Sequence, residues 1–133
     1  MDEVVTRIYR RLLQTGFEYT GSIENPSIFL DTKLEGISLC GQAGRDYMNI
    51  FISIDHGIIR DIKYLCFCDP TANVVVETLC YLAKGKTLET VKGLRQEDFF
   101  QAIGSKDETV SKKVLGIIEL LHRGITRFEQ GAA

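Results

Sequence analysis

The feature that most restricts the fold is a pair of adjacent β-type segments joined by a two-residue turn. Apolar and polar residues alternate along residues 46–55, which is the pattern of a half-buried strand. His56-Gly57 follows, and residues of this kind suit the backbone angles of a tight hairpin turn. Residues 58–67 then continue as a second apolar segment. The sequence therefore predicts an antiparallel β-hairpin whose first strand buries Met48, Ile50, Ile52 and Ile54.

Helices are predicted before and after this hairpin. Residues 2–15 carry apolar residues at helical spacing and end at Gly16, as expected for a helix terminus. Asp69-Pro70 suits the first positions of a helix that runs to about residue 83. Further helices are predicted over residues 95–103 and after the capping-box sequence at residues 105–108. The core faces of the last two long helices are predicted to be Ala72, Val75, Leu79 and Leu82, then Val110, Val114, Ile117, Leu121 and Ile125.

A third strand is predicted over residues 36–41, with a loop at residues 42–45 leading into the hairpin. Residues 27–30 are a candidate for a further short strand. Strands that are followed by a run of helices indicate an α+β protein. We therefore expect a three-stranded antiparallel sheet with helices packed on one face.

Length and composition place the chain among ordinary globular proteins. With 133 residues it is expected to form a single domain over 1–133. A formal net charge of −2 gives no indication of nucleic-acid binding. No apolar run reaches the roughly 18 residues of a membrane span, and the acidic N-terminal residues do not resemble a signal peptide. A cytoplasmic protein is expected.

The cysteines are the candidates for chemistry. Four cysteines without a secretion signal favour metal binding or thiol chemistry over a disulfide framework. Cys40 ends one predicted strand, and Cys66 and Cys68 end another, where residues i and i+2 lie roughly 7 Å apart on one side. The helix that begins at Asp69 places its positive end nearby, which favours thiolate. Cys80 lies within the same helix and is expected to pack in the core.

At these residues the sequence resembles the IscU/NifU/SufU iron–sulfur scaffold family. Residues 52–63 are similar to the family hairpin, and residues 84–88, Lys-Gly-Lys-Thr-Leu, match the segment after its helix. The resemblance covers residues 36–126, which leaves residues 1–35 as a divergent N-terminal helix and loop. Fold and site are therefore expected to follow that family.

Three positions depart from the family pattern. The second family cysteine falls between Cys66 and Cys68, so either could be its equivalent. The third family cysteine maps to Lys113, whose charge could pair with Asp46, balance bound thiolates, or lie at the surface. The proline-rich chaperone-binding segment of some members is missing from residues 104–113.

The resemblance implies a ligand set made of Cys40, Cys66, Cys68 and Asp46. Cys40-Gly41 resembles the first ligand site, and Asp46 would be the family aspartate displaced by residues 42–45. Three thiolates and a carboxylate suit one iron–sulfur cluster, most plainly a 2Fe–2S cluster, or alternatively zinc. The cluster would be cargo, so the protein is expected to be a carrier with no turnover of its own. Implied partners are a cysteine desulfurase, cluster-acceptor proteins and a possible second copy in a homodimer.

Two other functions stay open. One is a zinc-dependent persulfide acceptor of the SufU type, which would be a sulfurtransferase. The other is a partner-binding module that has kept the fold and lost the cluster chemistry.

Overall fold

The structure, a computed structural model, describes residues 2–41 and 45–131. Its strands form one antiparallel sheet in the order β1-β2-β3, and helices pack against it, so the predicted α+β class is confirmed. The elements are α1 (Glu3–Thr15), β1 (Ile28–Asp31), α2 (Thr32–Glu35), β2 (Tyr47–Asp55), β3 (Ile58–Phe67), α3 (Pro70–Ala83), α4 (Leu88–Lys92), α5 (Gln96–Ile103) and α6 (Glu108–Gly131).

The predicted hairpin is present in β2 and β3. His56 and Gly57 adopt φ angles of 53° and 74°, the left-handed values that a tight hairpin turn requires. The strands pair from Tyr47 opposite Phe67 to the turn, with a register shift at Ser53/Ile54. Met48, Ile50 and Ile52 are buried as predicted, whereas Ile54, beyond the shift, is only half-buried.

The predicted strand over residues 36–41 is wrong. This segment forms no ladder, and the third strand is β1, the short candidate at residues 27–30 shifted by one residue. Asp31 caps α2, and Gly36 ends it with a φ of 67°, so the chain turns away from the sheet edge that β1 occupies. The predicted loop at residues 42–45 lies mostly outside the described residues and stays a prediction.

The two long helices after the hairpin bury the predicted faces. Asp69 accepts a hydrogen bond from the Ala72 amide at 2.8 Å and begins α3 as predicted. α6 begins later than predicted because Asp107 accepts from the Thr109 amide, while Ser105 only accepts from the Asp107 amide. The short helix α4 was not predicted. All five predicted core residues of α6 are buried, as are three of the four in α3, with Leu82 half-buried.

The helices cover the inner face of the sheet. α6 packs against β1 and α3 against β3, with α1 on the outer side of α3. Phe29 and Phe67 on the other face are 46% and 53% exposed. The contact of α6 with β1 is close at Gly124, where a Cβ atom would lie 2.7 Å from Leu30 Cδ2.

A buried glutamate joins α3 to β3. Glu77 is 8% exposed, accepts from the Glu18 amide at 2.9 Å, and lies 2.9 Å from the Tyr64 hydroxyl. That hydroxyl also lies 2.8 Å from Asn73 Oδ1, and it has one hydrogen to donate. Tyr64 can therefore donate to only one of these two acceptors at a time. Burial raises the pKa of Glu77 above its ordinary value, while the bonds from Tyr64 and the Glu18 amide act in the opposite direction.

We expect the Glu77→Gln variant to gain stability relative to the wild type as pH rises. The folded-state pKa of Glu77 is raised, so its contribution is complete below the unfolded pKa, 4.5, and is lost as pH rises through the folded value. Glutamine does not titrate. Urea unfolding at about pH 4, 6 and 8 measures the difference. The exposed Glu97→Gln is the control, and a Glu77→Gln difference that stays constant with pH would refute the raised pKa of Glu77.

Candidate functional site

Cys40 and Cys68 meet at one point of the fold. They are joined as a disulfide across 28 residues of sequence, with Cα atoms 4.6 Å apart, within the usual disulfide range. Two of the three predicted site cysteines therefore come from separate segments and lie together.

Each cysteine is held by the element next to it. Cys68 follows the last residue of β3 and precedes the cap of α3, and its Sγ lies 3.2 Å from the Tyr47 carbonyl oxygen. A reduced thiol could donate a weak hydrogen bond there. Cys40 follows Leu39, which is 1% exposed and packs against α6 at Gly116. The strand end and the core thus place the two sulfurs at the start of α3.

Two carboxylates lie beside the sulfurs. A Cβ atom on Gly41 would be 3.1 Å from Asp46 Oδ2 and 3.5 Å from Asp69 Oδ2, so both groups face the backbone next to Cys40. Asp46 is 9% exposed, and Arg45 Nε contacts its Oδ1 at 2.9 Å. A cleft of about 400 Å³ opens onto solvent here; it is lined by Gly41, Arg45, Asp46, Phe67, Cys68 and Asp69.

Cys66 is not part of this disulfide. It is a half-buried free thiol that packs against the hydrophobic core. Burial, together with the nearby Asp69 carboxylate, raises the pKa of Cys66 to about 11, so at neutral pH the side chain is a neutral thiol. Its role as a ligand stays a prediction. Cys80 is fully buried in α3, as expected from its place in the helix.

Lys113 reaches the site from α6. Its ammonium donates to the Leu39 carbonyl oxygen at 2.6 Å and pairs with Asp69 Oδ2 at 2.9 Å. This side chain is 19% exposed, so the lysine at the position of the third family cysteine is not a free surface residue.

Sequence reasoning missed two features of the site. The first is the pairing of Lys113 with Asp69; Asp69 was expected to cap α3, and a capping carboxylate necessarily lies at the helix start, but no local pattern names its second partner. The second is the Arg45 guanidinium 5.1 Å above the Phe67 ring. An arginine and an exposed aromatic residue far apart in sequence give no signal of such a contact.

The site can supply thiolates and carboxylates once the disulfide is reduced. With the two sulfurs bonded to each other, residues 2–41 and 45–131 contain no group of three His, Cys, Asp or Glu side chains arranged to hold a metal ion. Reduction frees two sulfur donors within reach of one ion, beside the oxygens of Asp46 and Asp69. Thiolate is the ligand form, and metal binding is coupled to loss of the thiol protons.

None of the helices in the described part of the chain has the length and apolar character needed to span a membrane.

Comparisons with known proteins give a consistent result. The profile of the family described as NifU-like N terminal domain matches residues 19–133, so the match begins upstream of the region from which the resemblance was predicted. No curated protein matches the sequence.

Two crystal structures share the fold. A candidate iron–sulfur cluster assembly scaffold protein for the SUF system of Fervidobacterium islandicum aligns with a TM-score of 0.65 and 15% identity, covering 94% of this chain and 96% of that one. A nitrogen-fixing NifU-like protein (N-terminal) from Brucella abortus aligns with a TM-score of 0.55 and 8% identity, covering 94% of both chains. At sequence identities this low, the structural similarity shows only that the fold is shared. The family match over most of the chain shows more: this protein belongs to the NifU-like N-terminal domain family, within the IscU/NifU/SufU group that its sequence resembles.

Proposed function

We propose that this protein is a scaffold or carrier for iron–sulfur cluster assembly that holds its cargo on Cys40 and Cys68. One observation carries the proposal: in a chain of this family, two cysteines from separate segments meet beside two carboxylates in an open cleft. Cysteine thiolates are the usual ligands of such clusters. An open cleft suits cargo that must leave again for another protein.

Charge around the two sulfurs is balanced. The start of α3 contributes the positive end of a helix dipole, which favours thiolate. Lys113 and Arg45 offset the carboxylates of Asp69 and Asp46, which would otherwise oppose it. Reduced Cys40 and Cys68 are therefore not surrounded by uncompensated negative charge.

The remaining ligand positions fall to Asp46 and Cys66. Asp46 needs the smaller change, because its carboxylate already faces Gly41 beside Cys40. Cys66 must lose a proton from a thiol whose pKa is about 11, so it is the weaker donor until metal binding drives deprotonation. An oxygen ligand such as Asp46 is the more easily exchanged, which suits cargo release.

The place of this protein in the assembly reaction follows from its family. A cysteine desulfurase would supply sulfur as a persulfide, and an electron donor would supply two electrons per sulfur to reduce it to sulfide. Iron would join the sulfide on the thiolates, and an acceptor protein would take the finished 2Fe–2S cluster. The protein itself would turn over no substrate.

A second candidate is a zinc-ordered persulfide acceptor. The observation favouring it is that two carboxylates accompany the two sulfurs, since thiolates and carboxylates together are an ordinary zinc donor set. In that case the zinc ion would be resident and one cysteine would accept the sulfur.

Loading of the reduced protein tests these proposals. We expect protein that is purified without oxygen, reduced, and then incubated with iron and sulfide to gain visible absorption with iron and acid-labile sulfide in equal amounts. The Cys40→Ser/Cys68→Ser double variant, treated in the same way, is the matched control and should bind neither, because it lacks both thiolates. Tight, colourless zinc in the reduced protein would favour the persulfide acceptor. Failure to bind iron, sulfide or zinc after reduction would refute both and leave a partner-binding module.

A further inference from the structure

Lys113 joins the two segments that carry the site cysteines. Its ammonium bonds the carbonyl oxygen of Leu39, which precedes Cys40, and the carboxylate of Asp69, which follows Cys68. One side chain from α6 thus contacts the immediate neighbour of each cysteine.

Both ends of this connection are anchored. Lys113 precedes Val114, which is fully buried with the rest of the inner face of α6. Asp69 is fixed by its other oxygen, Oδ1, which accepts from the Ala72 amide at the start of α3. The ammonium therefore bridges two groups that the core and the helix cap already hold in place.

The segment of Cys40 has few other ties. It forms no sheet ladder, and its backbone bonds between residues 37 and 39 are local, from Ile37 to the Thr32 carbonyl and from Leu39 to the Ile37 carbonyl. The disulfide and the Lys113 bonds hold it at the start of α3, and Ile37 and Leu39 pack it against α6 at Gly116. When the disulfide is reduced, Lys113 supplies a larger part of the contacts that keep Cys40 next to Cys68.

We propose that Lys113 is a positioning residue for the two-cysteine site, keeping Cys40 and Cys68 adjacent when their sulfurs are not bonded to each other. A protonated lysine has no lone pair, so it orders the site without competing for cargo. The inference rests on the proposed function only in saying what the positioning is for. The positioning itself is a property of the protein without cargo.

The effect is measurable as the effective concentration of one thiol at the other. The Lys113 bonds and the disulfide favour the same arrangement, and such coupling is reciprocal. We therefore expect Lys113→Met to lower the equilibrium constant for forming the Cys40–Cys68 disulfide by about tenfold, as for the loss of hydrogen bonds to a charged group.

Equilibration with glutathione measures this constant. The protein dithiol and one glutathione disulfide give the protein disulfide and two glutathione thiols; two electrons and the two thiol protons pass to glutathione. The constant is compared at about pH 5.5 as well as about pH 7, because a thiolate stabilised by the Lys113 charge would shift it in the opposite direction. At the lower pH most cysteine thiols are protonated, so geometry dominates. Acid quenching, alkylation and peptide mass spectrometry then identify the Cys40–Cys68 pair.

The variants separate positioning from general stability. Lys113→Arg, which keeps the charge, should recover part of the loss. Lys112→Met is the matched control on the same helix, because Lys112 is exposed and pairs at the surface with Glu108. The disulfide-forming constant of this variant should equal that of the wild type. If Lys113→Met merely destabilises the fold, unfolding will shift while the glutathione constant stays unchanged, and the inference fails.

Asp69→Asn gives the same test from the other side of the bond. Asparagine can still cap α3 but leaves Lys113 without its ion pair to Asp69. The disulfide-forming constant of Asp69→Asn should therefore also fall. An unchanged constant would contradict the inference even if Lys113→Met did not fold. Cargo loading is scored separately. A wild type that binds no cargo refutes the proposed function, and the glutathione constants alone decide the role of Lys113.

Discussion

Replacing Cys40 or Cys68 with serine is expected to lower cargo affinity of the reduced protein by about 100-fold or more. Loss of an outer-shell partner alone costs about 10–100-fold in metal affinity, and each of these residues supplies one of the two sulfurs that meet in the Cys40–Cys68 pair. A serine hydroxyl is a far poorer ligand than a thiolate. Iron and acid-labile sulfide per chain, measured after anaerobic reconstitution, provide the test, with bound zinc measured in parallel.

The other two cysteines provide graded controls. Cys80→Ala removes a buried thiol inside α3 and should leave loading per folded chain unchanged. Cys66→Ser should lower loading partially, because a thiol with a raised pKa is the weaker donor. Full loading of both Cys40→Ser and Cys68→Ser would show that the cargo, if any, binds elsewhere.

Gly124→Val is expected to destabilise the fold by about 2–3 kcal/mol, through overpacking where α6 crosses β1. A Cβ atom at this position would lie 2.7 Å from Leu30 Cδ2 and 3.0 Å from Ile28 Cγ2. Both are atoms of buried side chains, so neither can swing into solvent. The free energy of unfolding from urea titration measures the loss.

Alanine variants separate the close approach from helix propensity. Alanine favours a helix over glycine by about 1 kcal/mol, so Gly131→Ala, where a Cβ atom meets nothing within 4 Å, should be neutral or slightly stabilising. Gly124→Ala gains the same propensity but meets Leu30, and it should be the less stable of the two. If Gly124→Val were as stable as the wild type, α6 would not lie as close to β1 as described.

Local patterns predicted much of the fold. The hairpin was readable because alternation in residues 46–55 and the turn at His56-Gly57 specify the same register. α3 could be predicted because the two residues Asp69-Pro70 mark a helix start. These features depend on residues that are close together in the chain, so a single sequence is enough to predict them.

The error at residues 36–41 has the opposite origin. Ile37 and Leu39 alternate with polar residues as in a strand, but the sheet edge is already taken by β1, which pairs with β2 from Ile28 to Asp31. Packing against α6 decides which of the two short segments pairs with the free edge of β2, and local β-propensity does not.

Only part of the functional site could be predicted from the sequence. Family resemblance pointed to Cys40, Cys66 and Cys68, and the structure places Cys40 and Cys68 together. The resemblance left open whether Cys66 or Cys68 was the family equivalent, and it did not indicate that Lys113 would contact the neighbours of both Cys40 and Cys68.

The amino-acid order alone determined the hairpin, the cap of α3 and the buried faces of the long helices, because these depend on periodicity and short-range hydrogen bonding; it indicated the family through the resemblance of residues 52–63 and 84–88. The tertiary structure alone decided which segment completes the sheet, which cysteines meet, and what Lys113 contacts. Those outcomes join residues tens of positions apart, and they follow from how α6 and α3 pack on the sheet.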